Sequence, residues 1–232
     1  MCGEALHHHN RGDHSTAAGE DEYILDTPTV RTFVARVWAA ISQAAGPAEA
    51  LEAIRPDFAR LLEDDDWLPA KYQAQAPESG MGGGIGQWLL FRSGAKDLSL
   101  FSLVVPPGAS TPVHDHLAWG LVGLYRGEQE ENVFARRDEG APVGEREELI
   151  PAFRRTVRRG DFYPLLPPTD DIHCVRTTST ASSVSIHLLT NDTGCVWRHA
   201  YDPKTGEVRP FRSGYVNRPC EPVPSSLSQP AR

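Results

Sequence analysis

The sequence predicts a mainly β domain, a sandwich or small barrel of short strands, placed behind a short helical segment. Three observations predict it. The chain carries 20 glycines and 19 prolines in 232 residues, more than a helical bundle tolerates, because both weaken helix interiors and serve turns. Helical apolar spacing is confined to the stretch from Val30 to Leu62. After Gly86 the pattern changes to apolar segments of four to eight residues divided by turn signals, which is strand spacing.

Taken in order, residues 1–22 are polar and read as a mobile tail, with His7, His8, His9, His14 and an Arg11-Gly12-Asp13 triplet but no buried face. Residues 23–78 form a helical segment expected to pack on the barrel. Phe33, Val34, Val37, Trp38 and Ile41 make one helical stripe that breaks at Gly46-Pro47, and Ala50, Leu51, Ile54, Phe58, Leu61 and Leu62 make a second. Pro56 is expected to kink or restart that second helix. Residues 64–86, with three aspartates and the run Gly82-Gly83-Gly84, read as a linker. The barrel is placed at residues 79–217, with strands at 87–92, 98–105, 118–125, 130–136, 161–166, 183–189, 194–201 and 207–212. Residues 218–232 read as a loose tail.

A formal charge of −8 gives no basic field for nucleic acid or anionic lipid, and hydrophobic residues at 40% fit an ordinary globular chain. No run approaches the roughly 18 apolar residues that span a bilayer. The four cysteines show no CxxC pair and the start has no secretory pattern. Reduced thiols, a cytoplasmic location and a monomer are the defaults.

The stretch most informative about chemistry is Gly108-Ala-Ser-Thr-Pro-Val-His114-Asp115-His116, followed by Gly120 and Gly127. Histidines at i and i+2 on an extended segment share a face, which suits either two imidazoles on one metal ion or a pair of surface histidines. With its glycines, this stretch resembles the first motif of the cupin superfamily, and Gly160 through Pro168 and Asp170 to His173 resembles the second. The second is degenerate, with a longer Gly-to-Pro spacing and Thr177 where Asn is common. The resemblance implies a jelly-roll (double-stranded β-helix) barrel with His114, His116 and His173 as metal ligands. Asp115 points to the other face and is given no metal bond.

Gly120 stands where most cupins carry a metal-binding glutamate. Three histidines without a carboxylate are the pattern of the thiol dioxygenases, the cysteine dioxygenase family, and glycine here resembles its bacterial members, so no Cys–Tyr crosslink forms from this position. Ser185-Ile186-His187-Leu188-Leu189 resembles the family's Ser-x-His-x-Tyr triad with leucine in place of tyrosine. Ser185 and His187 are implied as catalytic, or His187 is a buried strand residue bonded only to Ser185. Tyr163 is a candidate for the missing hydroxyl. Trp119 and Tyr163 either line the pocket or belong to the core.

Gly194 to Asp202 is similar to the stretch of bacterial 3-mercaptopropionate dioxygenases that supplies an arginine for the substrate carboxylate. Arg198 falls there, as a bidentate anchor or a surface hairpin residue. Gln87 resembles the family's substrate-facing glutamine, with Arg92 as the fallback. The resemblance spans residues 65–217 and implies Fe(II), a small carboxylate-bearing thiol and O2 as substrates, and a sulfinic acid product. Two other chemistries fit the same residues: a zinc- or manganese-dependent cupin hydrolase or isomerase, and a non-catalytic cupin that binds a small acid.

Overall fold

The computed structural model describes residues 19–77, 79–138 and 140–221. Cys2, the His7–His9 run, the Arg-Gly-Asp triplet, His14 and the chain after residue 221 lie outside the described residues. The described chain begins with a two-residue strand, β1 (Glu22–Tyr23), followed by helices α1 (Pro28–Gln43) and α2 (Pro47–Glu63). Thr27 caps α1, its hydroxyl accepting from the Val30 N–H at 3.3 Å, and a proline opens each helix, where the missing N–H costs nothing. Of the two expectations at Pro56, the restart is not seen: α2 runs on through it. Pro56 lies on the exposed face, where water can serve the carbonyl that the ring deprives of a partner.

Eleven further strands complete the chain: β2 (Gly86–Arg92), β3 (Ser99–Val105), β4 (Val113–His114), β5 (Gly120–Arg126), β6 (Glu128–Arg136), β7 (Leu149–Arg158), β8 (Phe162–Leu165), β9 (Ile172–Thr177), β10 (Ser183–Leu189), β11 (Arg198–Tyr201) and β12 (Val208–Phe211). They form two six-stranded sheets, in the orders β1-β2-β3-β10-β5-β8 and β12-β11-β4-β9-β6-β7. All pairings are antiparallel. Most consecutive strands from β3 to β11 lie in opposite sheets, β6 and β7 being the exception, so the fold is a jelly roll, as the resemblance implies.

The helices cover the outer face of the first sheet, which is why β3 and β10 are buried along their whole length. Along β10, Val184, Ile186 and Leu188 join the helix-side core with Phe58 and Leu62, whereas Ser185, His187 and Leu189 point into the barrel. Each fully buried aliphatic side chain in that layer contributes roughly 1.5–3 kcal/mol. Gly123 allows the close approach of α2: a Cβ there would lie 2.4 Å from Leu62 Cδ1.

Three sequence expectations differ from the structure. The stretch 64–86 is no free linker, since Trp67, Leu68, Tyr72 and Ala76 are buried and residues 70–73 form a 3-10 turn. The tail boundary at 22 shifts, because Glu22 and Tyr23 pair with Arg92 and Phe91. Cys195 and Cys220, expected as separate reduced thiols, are joined in a disulfide with Cα atoms 5.2 Å apart. A sequence separation of 25 residues gives no motif by which that pair could be read from the sequence.

Candidate metal centre

Strand pairing brings the three predicted histidines together. His114 on β4 lies directly opposite His173 on β9, and His116 follows two residues after His114 on the same side. Their ring centroids are 4.8 to 5.2 Å apart, and one ligand nitrogen from each lies within 4.8 Å of the others. All three are buried.

Each imidazole is oriented by a bond from its outer nitrogen. His114 Nδ1 donates to the Pro112 carbonyl at 2.9 Å. His116 Nδ1 donates to the Asp171 carbonyl at 3.1 Å and its carboxylate at 3.2 Å. His173 Nδ1 donates to Glu131 Oε1 at 2.6 Å. Such partners fix the tautomer that leaves the Nε2 lone pair free to bind a metal. Burial pushes His114 well below the usual histidine range, helped by the positive charge of Arg198. Burial also lowers His116, against the upward pull of Asp171. Both rings therefore offer neutral nitrogen, as metal ligation requires.

Glu131 is fully buried on β6 and also accepts from Arg155. Burial alone would raise its carboxyl, but the bonds from His173 and Arg155 outweigh it and hold it at about 2. Asp171 receives the backbone N–H groups of His116 and Leu117 as well as the His116 ring. Neither acid was singled out from sequence. Residues 128–132 are all polar, so no apolar alternation marks that Gln129 and Glu131 face inward, where a carboxylate needs a partner.

Among the described residues no carboxylate joins the cluster, and the backbone explains why. Gly120 faces Leu189 across β5 and β10, and a Cβ at Gly120 would sit 1.9 Å from the Leu188 carbonyl oxygen. A glutamate cannot occupy that position with this register. The arrangement suits a divalent ion held by three neutral nitrogens with open positions on its other side.

The cavity in front of the histidines is lined by Gln87, Tyr163, Ser185, His187, Thr193 and Arg198 together with apolar side chains such as Met81 and Phe101. Ser185 Oγ and His187 Nε2 are bonded at 3.0 Å. The His187 ring stacks on Phe101 at 4.7 Å, and burial holds it neutral, well below its usual range. Its Nδ1 has no partner, nor does the Tyr163 hydroxyl. Leu189 is buried beside Tyr163 and Phe101 in an apolar cluster.

Arg198 is buried, with its guanidinium 4.5 Å over the Phe211 ring. It donates to the Thr193 carbonyl at 3.2 Å, the Asp115 carbonyl at 2.7 Å and Ser213 Oγ at 2.9 Å. Among the described residues no carboxylate pairs with it. Burial lowers it to about 10, and it remains a cation at neutral pH. Gln87 is 1% exposed and both of its amide atoms lack partners. Arg92, the fallback, is instead engaged by Asp192 and Glu22 at 2.9 and 2.8 Å and does not line the cavity. Asp115 turns away, bonded to His199 and Tyr201. Trp119 packs with the helix-side core.

No protein-family model matches the chain. Among solved structures it is similar to a recombinant oxalate oxidase in complex with glycolate, at 18% identity over 42% of this chain and 44% of the other, with a TM-score of 0.33. It is similar also to the Cupin_2 domain of an XRE-family transcriptional regulator from Enterobacter cloacae, at 18% identity over 45% of this chain and 94% of the other, TM-score 0.32. An RmlC-like cupin from Shewanella frigidimarina aligns at 17% identity over 47% of this chain and 78% of the other, TM-score 0.33. The chain thus spans less than half the length of the oxalate oxidase it matches. The jelly-roll assignment stands on the strand order of the chain itself, and no helix among the described residues is long and apolar enough to cross a membrane.

Proposed function

We propose that the chain is a non-haem iron thiol dioxygenase that converts a small carboxylate-bearing thiol and O2 into a sulfinic acid. One observation carries the reading: among the described residues, a single cavity holds three converging imidazoles with no carboxylate, together with a buried guanidinium that has no anionic partner. Neutral ligands leave the charge of a divalent ion uncompensated, which favours an anionic ligand such as a thiolate over its thiol. A ferrous ion, when bound, would supply open positions for sulfur and oxygen and the redox chemistry between them. The reaction balances as RS⁻ + O2 → RSO2⁻, with sulfur giving four electrons, O2 taking four, and both oxygen atoms ending on sulfur. No external reductant enters.

The chain's own residues bind and orient. Arg198 keeps two of its five N–H donors free after three bonds, and two parallel charge-assisted bonds suit a carboxylate. Gln87 adds an amide donor from β2. Ser185 fixes the ring of His187, whose unpartnered Nδ1 is left to hydrogen-bond near the sulfur. Walls of Phe101, Leu103 and Val122 exclude bulk water, which strengthens each of these interactions.

The test is oxygen uptake by anaerobically iron-loaded protein against a panel of small thiols with and without a carboxylate. Uptake confined to the acids and abolished in His116→Ala is expected. Stoichiometric iron with no uptake for any thiol would overturn the reading.

A further inference from the structure

We infer that Thr193 is a substrate-contacting residue, its hydroxyl completing with the two free N–H groups of Arg198 a three-donor subsite for a carboxylate. This rests on the reading of the cavity as a site for a small acid. Thr193 has no accessible surface, lines the cavity, and leaves its Oγ1 without a hydrogen-bond partner. A buried hydroxyl without a partner is costly, so in the wall of a cavity that also holds Arg198 and Gln87 it points to a ligand group. Its own carbonyl accepts from Arg198 Nε at 3.2 Å, so the guanidinium abuts the residue that carries the hydroxyl. A carboxylate, with about four lone-pair sites, can accept from all three donors at once.

The loop is held rigid on both sides of Thr193. Asp192 before it pairs with Arg92, and its N–H donates to the Lys96 carbonyl at 3.1 Å. Gly194 after it donates to Tyr215 Oη at 3.1 Å and accepts from the Gly214 N–H at 2.8 Å. A Cβ at Gly194 would fall 2.4 Å from the Tyr215 ring, so the close packing requires glycine. Cys195 is tied to Cys220. Donors fixed in this way bind without a further ordering cost.

The experiment is an anaerobic titration of the iron-loaded protein, read as a dissociation constant, with 3-mercaptopropionate and with its neutral amide. Wild type, Thr193→Val and Thr193→Ser are compared. Val keeps the shape and removes the hydroxyl. The expected result is about a tenfold or greater loss of acid affinity in Thr193→Val, amide affinity within twofold of wild type, and near-complete rescue in Thr193→Ser. Equal losses for acid and amide would make the residue structural, and unchanged acid affinity or no measurable acid binding would refute the subsite. Because no turnover is read, a protein that discriminates acid from amide through Thr193 but consumes no oxygen would sink the dioxygenase reading alone.

Discussion

Glu131→Gln isolates what a single buried charge does for the metal site. In the native protein Glu131 accepts from His173 Nδ1 at 2.6 Å and from Arg155, and with its carboxyl at about 2 it is fully ionised at neutral pH. The amide is nearly isosteric, so packing is preserved, but the bond to His173 loses its charge. A hydrogen bond to a charged group contributes roughly 1.5–3 kcal/mol and a neutral one roughly 0.5–1.5, a difference of about 1–1.5 kcal/mol, or about a tenfold weaker metal complex. Facing its oxygen to His173 also turns the amide N–H group toward Arg155, two donors in contact, which adds to the loss. The value falls at the lower end of the ~10–100-fold effects of changing the partners of metal-ligating histidines. Anaerobic competition against a chelator of known Fe(II) affinity measures it, with the surface variant Glu148→Gln, whose partner Arg137 is equally exposed, expected to stay within twofold. A folded Glu131→Gln protein that binds metal as tightly as wild type would refute the assignment of His173 as a ligand oriented by this carboxylate.

Three other perturbations follow from the same geometry. Gly120→Ala drives a Cβ to within 1.9 Å of the Leu188 carbonyl oxygen, a backbone atom that cannot step aside, and should destabilise by about 1–3 kcal/mol or more; an unchanged melting temperature would mean that β5 and β10 are not in the described register. Cys220→Ser opens a loop closed over 25 residues, for which chain entropy gives a loss of about 3–4 kcal/mol, measurable as a lower urea midpoint under non-reducing conditions and absent once dithiothreitol reduces the wild type. His187, held neutral by burial, has a folded pKa below its unfolded one. The unfolded state therefore binds the extra proton as pH falls below about 6.5, and stability is lost in that direction at about 1.4 kcal/mol per pH unit. Between pH 7 and pH 5 the wild type should lose about 2 kcal/mol more than His187→Leu, and equal losses would show that the ring is protonated in the fold.

Much of the first sheet was legible because its strands are buried and apolar: the strand expected at 183–189 is β10 (Ser183–Leu189), and those at 87–92 and 98–105 differ by one residue from β2 and β3. The second sheet was harder. Strand β7 is a mostly exposed edge with Pro151 inside it, opposite Phe134 beside a register shift, and neither alternation nor apolar content marks such a strand. Strand β4 holds two residues, too short for any periodicity, yet it positions His114. Strand β9 was seen only through His173. His114 and His116 were visible through spacing, and His173, Gln87 and Arg198 through resemblance; the structure brings all five to one cavity. Glu131, Asp171 and Ser213 were not, since each acts through a partner distant in sequence, nor was Thr193, which no motif marks. The pairing of Cys195 with Cys220 belongs to the same class, a contact made by the fold and unmarked by any local pattern.

The most direct measurement is the reaction of iron-loaded protein with a carboxylate-bearing thiol under ¹⁸O2, with the product mass read by spectrometry. Both labelled atoms in the sulfinic acid, and no label taken from H2¹⁸O in the converse experiment, are the expected result. A disulfide or unlabelled product, with oxygen leaving as peroxide or not consumed at all, would contradict thiol dioxygenation by this chain.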